Sequence, residues 1–250
     1  MCLILVAWRA HPDYPLIVAA NRDEFFARPS AAAAFWPDSP DILAGRDLEA
    51  GGTWLGINRQ LRFAAVTNYR DPANNQAGRH SRGSLTSNFL HSQASPNDYL
   101  AALAPNDYAG FNLLVADREQ LGYYSNIEKK VHQLPAGIYG LSNRLLDTPW
   151  PKLVSAKQRF TAALASLPDE QAFFALLADD ELAPDEVLPN TGVSWEWEKK
   201  LSAIFVKSPD YGTRASTLLT VHHSGRTSLC ERSFAADAAL CGEVRETFQA

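Results

Sequence analysis

Short apolar runs recur from one end of the chain to the other. They occupy positions 3–8, 16–20, 54–58, 63–68, 111–117, 121–125, 138–142, 203–207, 216–221 and 227–234. Their length, their β-branched and aromatic content, and the Gly, Pro, Asn and Asp residues at their borders predict β-strands. HPDYP at 11–15 separates the first two runs. Two prolines and an aspartate make it a turn that joins a hairpin. Helical spacing appears in two blocks, at 83–91 with 96–104 and at 150–166 with 168–178. Ser95 is placed to cap a helix with Pro96 in its first position. Leu153, Phe160 and Leu164 repeat at helical spacing in the following block.

Strands therefore arrive as hairpins, then helices, then strands, helices and strands again. A parallel sheet requires strict alternation of strand and helix. This order predicts instead an α+β sandwich, two largely antiparallel sheets with helices packed outside. No linker, low-complexity tract or internal repeat interrupts the pattern, so one domain over 1–250 is expected.

Composition narrows the function classes. Apolar residues make up 46% and charged residues 20% of the 250, a globular balance. The net charge is −5 and no Lys/Arg-rich run stands out, so no nucleic-acid partner is expected. No apolar stretch reaches the length of a membrane span, and the opening run is too short, and lacks a basic lead, for a secretory signal. The three cysteines, at 2, 230 and 241, are odd in number and widely spaced, which argues against a disulfide framework or a zinc site. A cytoplasmic location is expected. The six histidines show no HExxH spacing, and no P-loop or dinucleotide fingerprint occurs, so no metal site is expected. Gly51 and Gly52 read as a tight turn into a strand.

Two stretches carry chemistry. In MCLILVAW a cysteine follows the initiator methionine. Removal of Met1 would leave Cys2 with an α-amine of pKa roughly 7.7–8.0, able to act as base for its own thiol. In LIVAANRDEFFARP, Asn21, Arg22, Asp23 and Glu24 stand in succession after an apolar run. If the strand continues, Asn21 and Asp23 face one way and Arg22 and Glu24 the other. An arginine near a thiol favours thiolate.

These stretches resemble the opening of the NRDE family, also called the Transport and Golgi organisation 2 family. The resemblance continues in order through GGTWLGIN at 51–58, VTNYRDP at 66–72, SRG at 81–83, NLLVAD at 112–117, GLSNRLLDTPWPK at 140–152 and YGTRASTLL at 211–219. It implies the four-layer αββα sandwich of N-terminal nucleophile hydrolases. Cysteine members of that superfamily, related to penicillin V acylase and bile salt hydrolase, carry an arginine and an aspartate at the end of the second strand. Arg22 and Asp23 resemble these, although the order departs from the Arg-Asn-x-Asp pattern.

Asn143, at the end of IYGLS, and Asn68, in VTNYRDP, are candidates to donate to an oxyanion. Arg214 in YGTR could pair with a ligand carboxylate or favour the Cys2 thiolate. Two function classes follow. The resemblance implies intracellular haem handling, with acyl-CoA or related lipid as another ligand. Asn21, Arg22, Asp23, Glu24 and Arg214 would then rim the binding site, and any haem would be held non-covalently, since no CxxCH occurs. Residue chemistry alone points to a cysteine amidohydrolase acting on a linear amide, with Cys2, Arg22, Asp23, Asn143 and Arg214 as its machinery.

Overall fold

The computed structural model describes residues 2–74 and 78–250; within these, the side chains of Cys2 and Asn74 are outside the description. Six strands form one antiparallel sheet: β1 (Cys2–Trp8), β2 (Leu16–Phe25), β10 (Gly137–Leu141), β11 (Tyr211–Val221), β12 (Arg226–Phe234) and β13 (Leu240–Gln249), in the order β10-β1-β2-β11-β12-β13. Seven form the other: β3 (Ser30–Trp36), β4 (Ser39–Asp47), β5 (Leu55–Asn58), β6 (Phe63–Asn68), β7 (Phe111–Ala116), β8 (Leu121–Ser125) and β9 (Lys130–Leu134), each beside its sequence neighbour.

Alternation along the central strands builds the layers. Ile4, Val6 and Trp8 of β1, with Leu16, Val18 and Ala20 of β2, pack against Leu43, Ile57 and Phe63 of the other sheet. Leu3, Leu5, Ala7, Ile17 and Ala19 face the opposite way, onto α3 (Pro151–Ala163) and α4 (Gln171–Leu177) through Leu153, Phe160 and Phe173. The seven-stranded sheet is covered on its outer face by α1 (Gly83–His91) and α2 (Pro96–Ala101), through Leu85, Phe89 and Leu100. The result is the expected αββα sandwich. Ser95 does cap α2, accepting the Asp98 amide at 3.2 Å.

One predicted strand is absent. Residues 203–206 are buried but irregular. Their polar main-chain groups are satisfied one by one instead of by a ladder: the Phe205 amide donates to the Asp179 carbonyl and the Val206 amide to Thr213 Oγ1. A fifth helix, α5 (Trp195–Lys200), precedes this segment and was not anticipated. Among the described residues no helix is long and apolar enough to cross a membrane.

Candidate active site and ligand cleft

β2 does not stop where its apolar run ends. It continues through Phe25, so the NRDE run lies inside a central strand, between β1 and β11. Asn21 (1% exposed), Arg22 (6%) and Asp23 (2%) are all buried, which costs free energy unless each is partnered. The strand period assigns the partners.

Asn21 points to the helix side. Its Nδ2 donates to the carbonyls of Leu177 and Ile204 at 2.8 and 2.9 Å, and its Oδ1 accepts from Ser216 Oγ at 2.6 Å. Asp23 accepts from Thr213 Oγ1 at 2.7 Å, and its main-chain carbonyl accepts from the Tyr211 hydroxyl at 3.1 Å. Burial pushes the Asp23 carboxyl above its usual range, against the opposing pull of Lys152, Thr213 and Arg70.

Arg22 faces the other sheet. Its guanidinium lies over the Trp54 ring, 4.1 Å from the centroid, with Nη1 3.5 Å from Ser30 Oγ. No carboxylate among the described residues pairs with it at ion-pair distance. In register, Arg22 stands opposite Cys2 on β1 and Ala215 on β11. The Cys2 side chain lies outside the described residues. Glu24 is at the strand's outer end, where its carboxylate accepts the Phe25 amide at 2.9 Å.

A cleft of about 870 Å³ opens at this end of the sandwich, and Asn21, expected at its rim, does not line it, because its amide is committed to the helix side. Arg22, Asp23 and Glu24 line it from β2, and Trp54, Val66 and Asn68 from the second sheet. Val193, Trp197, Leu201 and Tyr211 form an apolar wall, with the Trp197 and Tyr211 rings meeting edge to face at 5.7 Å. The opposite lip, at 78–83, carries Arg79, His80 and Arg82. Arg28 also lines the cleft, but its charge is taken up by Asp47 at 2.8 Å and Glu49 at 3.2 Å.

Two of the candidate residues sit behind this surface. Asn143 is fully buried beneath Asn68: its Nδ2 donates to Asn68 Oδ1 at 2.7 Å and to the Asn68 carbonyl at 3.0 Å. The carbonyl can only accept, so it fixes which way the Asn143 amide is turned. Asn143 Oδ1 is left with no partner among the described residues. The amide that reaches the cleft is that of Asn68. Arg214 is the bulged residue between Thr213 and Ala215 on β11. Its Nη1 donates to the carbonyls of Phe25 and Arg28, tying down the β2–β3 connection, and it does not line the cleft.

Sequence reasoning did not find the apolar wall that Trp197 of α5 builds with Val193, Leu201 and Tyr211, nor Glu231. That carboxylate spans the sheets: Oε1 accepts the Ala33 amide of β3 at 2.8 Å and Oε2 accepts Thr217 Oγ1 of β11 at 3.2 Å. Ala33 sits where the β3–β4 register slips, which frees its amide from the ladder. A lone glutamate in ERSF carries no local signal of this.

The family model of Transport and Golgi organisation 2 matches residues 1–236. The chain belongs to this family. The Transport and Golgi organization protein 2 homolog of Bos taurus is 39% identical over 257 aligned positions, covering 93% of each chain. The Drosophila melanogaster Transport and Golgi organization protein 2 is 25% identical, over 93% of this chain and 92% of its own. Among solved structures, the Caenorhabditis elegans N-acylethanolamine-hydrolyzing acid amidase ortholog superposes with a TM-score of 0.50 at 12% identity, covering 88% of this chain and 92% of that one. This likeness is one of fold. The family member described here thus has the two-sheet architecture of an N-terminal nucleophile hydrolase.

Proposed function

We propose that the cleft binds and carries a large amphiphilic anion, with haem or an acyl-CoA as cargo. The observation that carries this reading is the division of the cleft into an apolar wall and a cationic lip. Val193, Trp197, Leu201 and Tyr211 offer area for an apolar body; on the lip, Arg82 is tied to the Gly110 carbonyl, and the exposed Arg79, 3.5 Å from Asp107, offers the guanidinium that a ligand carboxylate or phosphate would take over from that acid. A volume of about 870 Å³ lies in the range of cofactor-sized sites. His80 is the one imidazole lining the cleft among the described residues, so it is the donor that haem iron would meet there.

The test is direct. Protein purified from cells supplied with haem precursor is extracted and analysed by visible absorption and mass spectrometry, and apo-protein is titrated with haem and with palmitoyl-CoA. Saturable binding of either, weakened by Arg79→Glu and retained in Cys2→Ala, supports a carrier. Absence of saturable binding of both ends the proposal.

A second reading is favoured by a separate observation: Cys2 stands in register with Arg22, and the Asn68 amide lines the same cleft. In a cysteine amidohydrolase the Cys2 thiolate attacks the amide carbonyl and its α-amine takes the thiol proton. That proton passes to the departing amine, and water releases the acyl group from sulfur. Asn68 Nδ2 would donate to the oxyanion, with Asn143 holding the Asn68 amide in place. Intact mass showing loss of Met1, with amide turnover abolished by Cys2→Ala, would select this reading over the carrier.

A further inference from the structure

The strands that end at the first cleft have another end. β1 runs from Cys2 to Trp8, so Trp8 lies about 20 Å from the NRDE run at the rise of an extended strand. A second cleft of about 450 Å³ opens there, between the sheets. Its floor is the end of the inter-sheet core: Trp8, Leu16, Leu61 and Val221 are each at most 8% exposed yet line it. Its mouth carries Arg9, Arg118, His11, His222 and His223.

The charges at this mouth are unequal. The one acid lining it, Asp117, is engaged in its own turn, where Oδ1 accepts the amides of Glu119 and Gln120 at 2.8 Å each. Arg118 is exposed and forms no ion pair among the described residues. Arg9 is set over the Trp8 ring at 5.0 Å and donates to the Arg118 carbonyl at 2.9 Å. That bond holds the β7–β8 turn against the β1–β2 turn, and both arginines line the same opening.

The backbone is also specialised here. Arg9 (φ 48°) and Leu61 (φ 64°) are both left-handed, a conformation that Gly or Asn usually supplies in such turns. Leu61 keeps a side chain that glycine would lack, and with it the hairpin closes the floor. His11, Tyr14 and His222 stack edge to face at 5.2 and 5.3 Å, a rigid ring ladder beside the opening.

We infer that this end of the sandwich is a second ligand site, separate from the NRDE cleft, for a monocarboxylate with an apolar body. The floor takes the hydrocarbon, and the Arg9 and Arg118 guanidiniums take the carboxylate in fork geometry.

The experiment titrates the full chain with decanoate and follows the ring resonances of His222 and His223 by NMR. The parent should show saturable shifts at both. Arg118→Glu, a change at an exposed side chain, should raise the apparent Kd at least tenfold. His223→Trp, which fills the mouth, should abolish the shift at His222. Decanol should lose nothing on Arg118→Glu, since it has no charge to pair. Arg79→Glu, at the other end of the molecule, should leave the His222 and His223 titration unchanged. Absence of saturable shifts in the parent overturns the site. So does a decanoate titration that Arg118→Glu and His223→Trp leave intact, or one that Arg79→Glu removes.

Discussion

The Arg22 guanidinium of one sheet lies on the Trp54 indole of the other, 4.1 Å from the ring centroid, at the mouth of the cleft. Each is held from behind. Arg22 is fixed by pairing on both sides of its strand. Trp54 is fixed by Gly45, where an added Cβ would come within 2.3 Å of the indole.

Gly45→Ala should therefore displace Trp54 and cost about 1–3 kcal/mol by overpacking. Ligand affinity at the cleft should fall along with it. Arg22→Ala should weaken binding or turnover at least tenfold while cooperative unfolding persists. Circular dichroism melts beside ligand titrations check both. Loss of folding in Arg22→Ala would make the residue a structural tie between sheets.

Beneath the cleft, Arg70 and Glu198 form an ion pair at 2.8 Å, with both side chains 5% exposed. Glu198 also accepts the Thr191 amide and hydroxyl, so it anchors the approach to α5. Removing one partner strands a buried charge. Glu198→Ala should cost about 3–5 kcal/mol in urea unfolding. The pair is buried and little screened, so that loss should be nearly the same at low and high salt. A loss that vanishes in salt would place the pair at a solvated surface.

Burial pushes the Glu231 carboxyl above its ordinary value of 4.5, against the Ala33 amide, the Thr217 hydroxyl and Arg22, which favour the ionised form. The folded state then holds its proton to higher pH than the unfolded chain does. Stability from this group is fully present below 4.5 and is lost as pH rises through the raised folded value. Glu231→Gln keeps an acceptor for the Ala33 amide and carries no charge. The parent should therefore lose stability relative to Glu231→Gln as pH climbs from 4.5 towards neutrality, with the gap level beyond the folded pKa. Denaturant midpoints measured across that range test the sign. A parent that gains on the variant with rising pH would contradict it.

Gly52 has no room for a side chain, because a Cβ would come within 2.5 Å of the Gly83 carbonyl carbon and 2.6 Å of its oxygen. The turn before β5 therefore rests on the backbone at the start of α1, next to the lip that carries Arg79 and Arg82. Gly52→Ala should destabilise by about 1–3 kcal/mol and alter hydrogen exchange at 78–85 before it affects the other sheet. Exchange changes centred elsewhere would count against this contact.

The central strands were legible because both of their faces are apolar: β1, β6, β7 and β8 stand close to where their runs predict them. The strands that escaped sequence reasoning include the sheet edges β3, β9 and β13. SAAAAFW is rich in alanine, and LCGEVRETFQ is largely polar because most of its positions meet solvent. The apolar run at 203–207 misled because burial does not require a ladder when side chains and loops supply the hydrogen bonds.

At the site, the alternation of Asn21 and Asp23 against Arg22 followed from strand period alone. The partners did not. Leu177, Ile204 and Trp54 lie far off in sequence, and the covering of Asn143 by Asn68 depends on how two separate strand ends meet.

That Asn21 serves the helix layer and Arg22 the inter-sheet layer makes β2 sensitive to length as well as to chemistry. A single-residue insertion or deletion between Leu16 and Asn21 would exchange the two faces. The amide would enter the space above Trp54, and the guanidinium would be driven under α4, against two carbonyls shaped for an amide. No compensating point change repairs that exchange. Over this strand the chain is held to its spacing as strictly as to its residues.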